Sequence, residues 1–158
     1  MKISELPHGK VQLEKLLQTN LFPMLESQYR VDACTLTLMD TLIIGYIGPS
    51  RSQPIHRDAS LLSLQIALSP LSDHTAGGTY FEGLENPIKM EQGHVLAHSS
   101  GALHAGRGVT TGERWILVMF VISESEPQLA RLCHAEGVDA IDRNDLARAE
   151  LCTVQGLR

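Results

Sequence analysis

The chain has 158 residues, 43% apolar and 20% charged, a composition that suits one folded domain and excludes a disordered polymer. Thirteen Lys and Arg against eighteen Asp and Glu leave a formal charge of −5 with no basic stripe, which disfavours nucleic acid as a partner. No apolar run approaches the roughly 20 residues that span a bilayer, the N-terminus lacks the apolar core of a signal peptide, and the three cysteines have no paired spacing. The expectation is a cytoplasmic protein without membrane segments or a disulfide framework.

Residues 10–19 read as a helix presenting Leu13, Leu16 and Leu17 on one face. Asn20 reads as the cap of a second short helix, with Pro23 in its first turn and Leu21, Met24 and Leu25 buried. From Val31 the period changes. Leu36, Leu38, Leu42, Ile44 and Tyr46 suggest strand, with a turn near Asp40 and a break at Gly48-Pro49-Ser50. Leu62, Leu64, Ile66 and Leu68 alternate with Ser63, Gln65, Ala67 and Ser69, as in a half-buried strand. Pro70 ends it, and a polar loop follows at 72–76. Gly77-Gly78 lead into a strand at Thr79-Tyr80-Phe81, and short strands are expected at 88–90, 95–98 and 103–105. Residues 115–122 are apolar on both faces, as a fully covered strand is.

The tail returns to helix, with a capping box at Ser125 and Gln128 and a second segment over 142–152. Many short strands punctuated by glycine argue for a mainly β architecture, a sandwich or jelly roll with flanking helices. The expected organisation is a single domain over 1–158. Its β core runs from about 31 to 123, between a helical N-terminal arm (1–30) and a C-terminal tail (124–158).

The residues that carry chemistry are His56, Asp58, His104 and Arg114. Two positions apart on a strand, His56 and Asp58 point to the same face. A third ligand must come from a strand that folds back beside them, and His104 follows 48 residues later. Two imidazoles and one carboxylate can hold Fe(II) on one side and leave the other open to a 2-oxo acid and O₂. Arg114, ten residues beyond His104 at the mouth of an apolar strand, needs an anionic partner and can grip the far carboxylate of 2-oxoglutarate. His-x-Asp alone is a common three-residue pattern, and the chain has seven histidines. The case rests on the order and context of all four residues.

Three further stretches carry a family resemblance. They are Pro54-Ile55-His56-Arg57-Asp58-Ala59-Ser60, then Leu64 to Leu68 with Gly77-Gly78-Thr79-Tyr80-Phe81, and then Gly93 to His98 with His104 to Arg114. Together they resemble the 2-oxoglutarate/Fe(II) dioxygenase superfamily, in the branch of the prolyl 4-hydroxylases and procollagen lysyl hydroxylases. The similarity runs from about Leu42 to Val121, roughly half of the chain.

The resemblance implies a double-stranded β-helix, with iron on His56, Asp58 and His104 and the 2-oxoglutarate carboxylate on Arg114. It places Tyr46 where a tyrosine of the prolyl hydroxylases also bonds the cosubstrate; the residue alone also reads as a core tyrosine. The implied activity is hydroxylation of an unactivated C–H bond of a prolyl or lysyl residue or a small amino-acid-like substrate, releasing succinate and CO₂, with ascorbate as reductant. Asp58 keeps the carboxylate that related halogenases replace with a small residue. The other reading is a non-catalytic jelly-roll module that binds a ligand or partner, favoured by the short N-terminal region. His94 and His98 read as structural neighbours of the site, with His98 the nearer. His8, His74 and His134 read as outside it. Gln65 reads either as a cosubstrate contact or as an outer-face polar residue. Substrate choice is expected from the segments 48–54 and 69–76 around the barrel mouth.

Overall fold

The longest strands form the spine of the computed structural model, which describes residues 9–124. Strand β1 (Leu36–Ile47) runs antiparallel to β7 (Val109–Ser123) from Leu36↔Ser123 to Ile47↔Glu113. On its other side β7 pairs with β2 (Leu62–Ala67), and β2 pairs with β5 (Val95–Ser99), giving the order β1-β7-β2-β5. Strand β3 (His74–Ala76) adds to the first residues of β7. A second sheet is built on β4 (Thr79–Phe81) and β6 (His104–Gly106), widened by bridges from His56 to His104 and from Thr79 to Ile88. The fold is mainly β with an N-terminal helix, a double-stranded β-helix.

The two faces of β2 and β7 divide the apolar residues between two clusters. One face presents Leu62, Leu64, Leu117, Met119 and Val121 to Leu13, Leu17, Phe22 and Leu25 of the helical arm. Full burial of such a side chain contributes roughly 1.5–3 kcal/mol. The other face of β7 turns Ile116 and Val118 inward, against Tyr46 and Val109. Both faces of β7 are therefore covered, as its unbroken apolar run implied.

The helical arm differs from the two separate helices expected, the second capped by Asn20. Helix α1 (Gly9–Leu16) passes through a π-helical segment (Leu17–Leu21) directly into α2 (Phe22–Tyr29). Leu16 and Leu21 at the junctions keep right-handed helical dihedrals, so Asn20 lies inside the helix and caps nothing. The wider turn resets the apolar face: Leu17 and Phe22 are buried, while Leu16 is exposed.

The turn expected near Asp40 is a β-bulge between Leu38 and Asp40, and β1 continues through it. β2 is buried on both faces rather than half-buried, because Ser63 and Gln65 face the barrel interior. The polar loop expected at 72–76 contains β3. Three successive residues of positive φ, Ala76, Gly77 and Gly78 (66°, 78° and 102°), then swing the chain into β4. At 88–90 there is a bridge at Ile88 rather than a strand.

No helix among the described residues is long and apolar enough to cross a membrane. Cys34 is a free, exposed thiol. The helical segments expected at 125–128 and 142–152, and His8, Cys133, His134 and Cys152, lie outside the described residues.

Candidate metal and cosubstrate site

The segment after β1 runs antiparallel to the chain that links β5, β6 and β7, bonded at intervals along its length. Gly48, Ser50 and Gln53 donate to Gly112, Val109 and Gly106. His56 and His104 then exchange both backbone bonds, at 2.9 and 3.0 Å, and the Asp58 amide donates to the Ser100 carbonyl at 2.9 Å. This ladder sets His56 directly across from His104, and the pleat returns Asp58 to the same side.

Three ligand atoms converge there. His56 Nε2 lies 3.5 Å from Asp58 Oδ1, and His104 Nε2 lies 3.4 Å from Asp58 Oδ2. All three residues offer a ligand atom within 4.8 Å of one another. His56 Nδ1 is 2.9 Å from the Pro54 carbonyl and His104 Nδ1 is 2.9 Å from the Ala102 carbonyl. A carbonyl only accepts, so both Nδ1 atoms donate to it and each ring turns its Nε2 inward. The Nε2–oxygen separations exceed a good N–H···O bond. They fit atoms that share a metal at about 2.1 Å from each. The donor set, two imidazoles and one carboxylate, suits non-haem Fe(II). His104 and Asp58 are buried, whereas the His56 side chain is 39% exposed and marks the open side.

The second part of the site lies further along the barrel. Arg114, only 5% exposed, crosses the interior from β7, with its guanidinium carbon 5.1 Å from the centre of the Tyr46 ring. Its Nη2 donates to Thr79 Oγ1 at 3.2 Å. Its Nη1 is the one buried side-chain polar atom without a hydrogen-bond partner among the described residues. Such a donor is costly unless a ligand accepts from it. Burial pushes the Arg114 guanidinium down and the Tyr46 phenol up, each opposed by the other group. The Tyr46 hydroxyl donates to Gln53 Oε1 at 3.0 Å, which also accepts from the Gly106 amide. Gly106 is required at this point, since a Cβ there would overlap the Tyr46 hydroxyl and Gln53.

Between the two parts lies a directed chain of polar groups. Arginine only donates, so Thr79 accepts from it and donates its own hydroxyl hydrogen bond to Gln65 Oε1 at 2.7 Å. The Gln65 amide lies 3.5 Å from His98 Nε2, a long contact. His98 Nδ1 is committed to the Ser99 carbonyl. Burial pushes the His98 imidazole down to about 4, so it is neutral at physiological pH and its Nε2 can accept. The His98 ring packs edge-on to His104 at 4.5 Å, with Phe81 at 4.9 Å on another side.

The structure brings His56, Asp58 and His104 together and places Arg114 and Tyr46 against each other on the same interior. His98 is beside the site, His94 is exposed, and Gln65 faces inward. Thr79, Phe81, Ser63 and Ser100 were not singled out by the sequence reading. In the segment 69–76, the Ser69 hydroxyl accepts from the Trp115 amide, next to Arg114 in the chain.

No family model matches the chain. It is 31% identical over 117 residues to the human protein named 2-oxoglutarate and iron-dependent oxygenase domain-containing protein 2, covering 63% of this chain and 33% of that one. The mouse protein of the same name is 27% identical over 134 residues, covering 72% and 38%. The chain thus spans little more than a third of the length of these curated relatives. An oxidoreductase of the 2OG-Fe(II) oxygenase family from Burkholderia pseudomallei superposes with a TM-score of 0.61 at 21% identity, covering 75% of this chain and 59% of that one. The viral collagen prolyl hydroxylase of Paramecium bursaria Chlorella virus-1, in a 2OG complex, superposes at 0.57 and 20% identity, covering 71% and 73%. The resemblance read from the sequence is shared by these relatives, and the solved structures share its fold.

Proposed function

We propose that this chain is a 2-oxoglutarate- and Fe(II)-dependent oxygenase that hydroxylates an unactivated C–H bond. The observation that carries the reading is the convergence of His56, Asp58 and His104, each histidine with Nδ1–H tied to a carbonyl and Nε2 turned inward. In this reading these three side chains hold the metal, and Arg114 offers Nη1 to the far carboxylate of the cosubstrate. Tyr46 supports the guanidinium from its ring face and stands within the same wall. Phe81 and neutral His98 line the space beside His104 and limit the entry of water. Bound Fe(II) would activate O₂ as the oxidant, one oxygen atom going to 2-oxoglutarate as it becomes succinate and CO₂ and the other to the substrate carbon.

The substrate proposed is a prolyl or lysyl residue or an amino-acid-like molecule. Likeness to a viral collagen prolyl hydroxylase supports that class. The substrate enters from the His56 side, the exposed edge of the triad.

The test incubates the purified chain with Fe(II), ascorbate and 2-oxoglutarate. Succinate release is measured while peptide and metabolite pools are screened by mass spectrometry for the gain of one oxygen atom. Substrate-dependent succinate with a matching oxygenated product is expected. An anaerobic Fe(II)/2-oxoglutarate titration without the visible band of the chelate would overturn the oxygenase reading in favour of a non-catalytic binding module.

A further inference from the structure

Three serine hydroxyls cluster beside the Asp58 carboxylate and bond one another in series. Ser63 Oγ is 2.5 Å from Asp58 Oδ2, Ser100 Oγ is 3.0 Å from Ser63 Oγ, and Ser60 Oγ is 2.6 Å from Ser100 Oγ. Ser63 and Ser100 are both 0% exposed. Nothing in the proposed reaction uses them.

The direction of every bond in the row follows from its end. An ionised carboxylate only accepts, so Ser63 donates to Asp58. Ser63 Oγ is then free to accept from Ser100, and Ser100 from Ser60. The remaining Ser60 contacts, to the Leu62 carbonyl at 3.3 Å and to Ser63 at 3.5 Å, are longer. The donations thus run in one sense, from Ser60 through Ser100 and Ser63 to Asp58, each polarising the next in a low-dielectric interior. The row also joins two ligand-bearing segments. Ser60 and Ser63 follow Asp58 in the chain, and Ser100 sits in the turn that leads to His104. The Ser100 backbone reinforces the link: its carbonyl accepts from Asp58 N and its amide donates to the Leu61 carbonyl.

We infer that Ser63, backed by Ser100 and Ser60, is a positioning residue for the metal. By occupying a lone pair of Oδ2 it holds the Asp58 carboxylate at a fixed rotation and biases it to ligate through Oδ1 alone. The row also couples the placement of Asp58 to that of the His104 turn. This rests on the proposed metal site. Groups that orient a ligating side chain are commonly worth about 10- to 100-fold in metal affinity.

The experiment uses Co(II) alone, without cosubstrate, on the full chain. Wild type is expected to bind Co(II), and Asp58→Ala to lose it. Ser63→Ala is expected to weaken Co(II) binding by about 10-fold. Its visible Co(II) absorption bands should also change, because the released carboxylate can rotate and ligate through both oxygens. The melting temperature of the metal-free variant reports whether it is folded. If Ser63→Ala does not fold, Ser100→Ala keeps the bond to Asp58 and removes the one behind it, with a smaller loss of affinity expected. Wild-type affinity and bands in the folded variant would overturn the role of Ser63 and leave the triad standing. Absence of Co(II) binding by wild type, or retention by Asp58→Ala, would overturn the triad and the inference with it.

Discussion

The two ends of the site are built on opposite principles. Around the triad the polar groups beside the ligand atoms are already bonded to protein. The histidine Nδ1 atoms rest on Pro54 and Ala102, and one Asp58 oxygen rests on Ser63. What remains free is the set of atoms that face one another. At the other end Arg114 is buried with one nitrogen bonded to Thr79 and another bonded to nothing. The first end is pre-organised and nearly satisfied. The second is a buried cation in need of an anion. On the proposed reading the first end sets the metal and the second the cosubstrate, and the contrast can be broken from either side.

The sharpest break is at the metal. Asp58→Ala or His104→Ala should reduce Fe(II)-dependent succinate formation to background, measured with saturating 2-oxoglutarate. Wild-type-like turnover in either variant would remove the triad from its role. At the other end, Arg114→Met keeps volume and removes the charge. The apparent KM for 2-oxoglutarate should rise roughly 30- to 150-fold, the equivalent of about 2–3 kcal/mol from lost charge-assisted bonds. The melting temperature of the ligand-free protein should hold or rise, because an unsatisfied buried donor is removed. An unchanged KM would sever Arg114 from the cosubstrate. Between the ends, Gly106→Ala forces a Cβ into the Tyr46 hydroxyl and Gln53. A cost of about 1–3 kcal/mol in thermal stability is expected. An unchanged melting temperature would mean that the Tyr46 wall is free to move.

The four residues that open this contrast were legible because each is a polar type in a place where a strand should be apolar or where a turn brings strands together. His56 and Asp58 share strand parity, and Arg114 stands at the head of an apolar run. Their supports were hidden for a physical reason. Ser63 and Gln65 have the opposite parity to His56 and Asp58, so counting by twos puts them on the other face. The bend at 59–61 resets the count and returns them to the interior. A serine or glutamine opposite leucine in a strand also reads as solvent-facing when only one face is assumed to be covered. The π-helical turn hid for the same kind of reason, since one extra residue per turn shifts every later position and made Asn20 look like a cap. Strand β3 has no apolar alternation to announce it, because its three residues are held by pairing with β7.

The finest test concerns Thr79, which bonds Arg114 at one end and leads through Gln65 toward His98, beside the other. It is almost completely buried, accepts from Arg114 and donates to Gln65. Thr79→Val keeps the shape and deletes the hydroxyl. One such bond contributes about 1 kcal/mol, so the 2-oxoglutarate KM should rise roughly 5-fold with kcat little changed. Thr79→Ser should restore it. If Thr79 acts only by holding the guanidinium, the pair Arg114→Met with Thr79→Val should match Arg114→Met alone, since there is nothing left to hold. A KM in the double variant that multiplies the two single effects would mean that Thr79 meets the cosubstrate independently of Arg114.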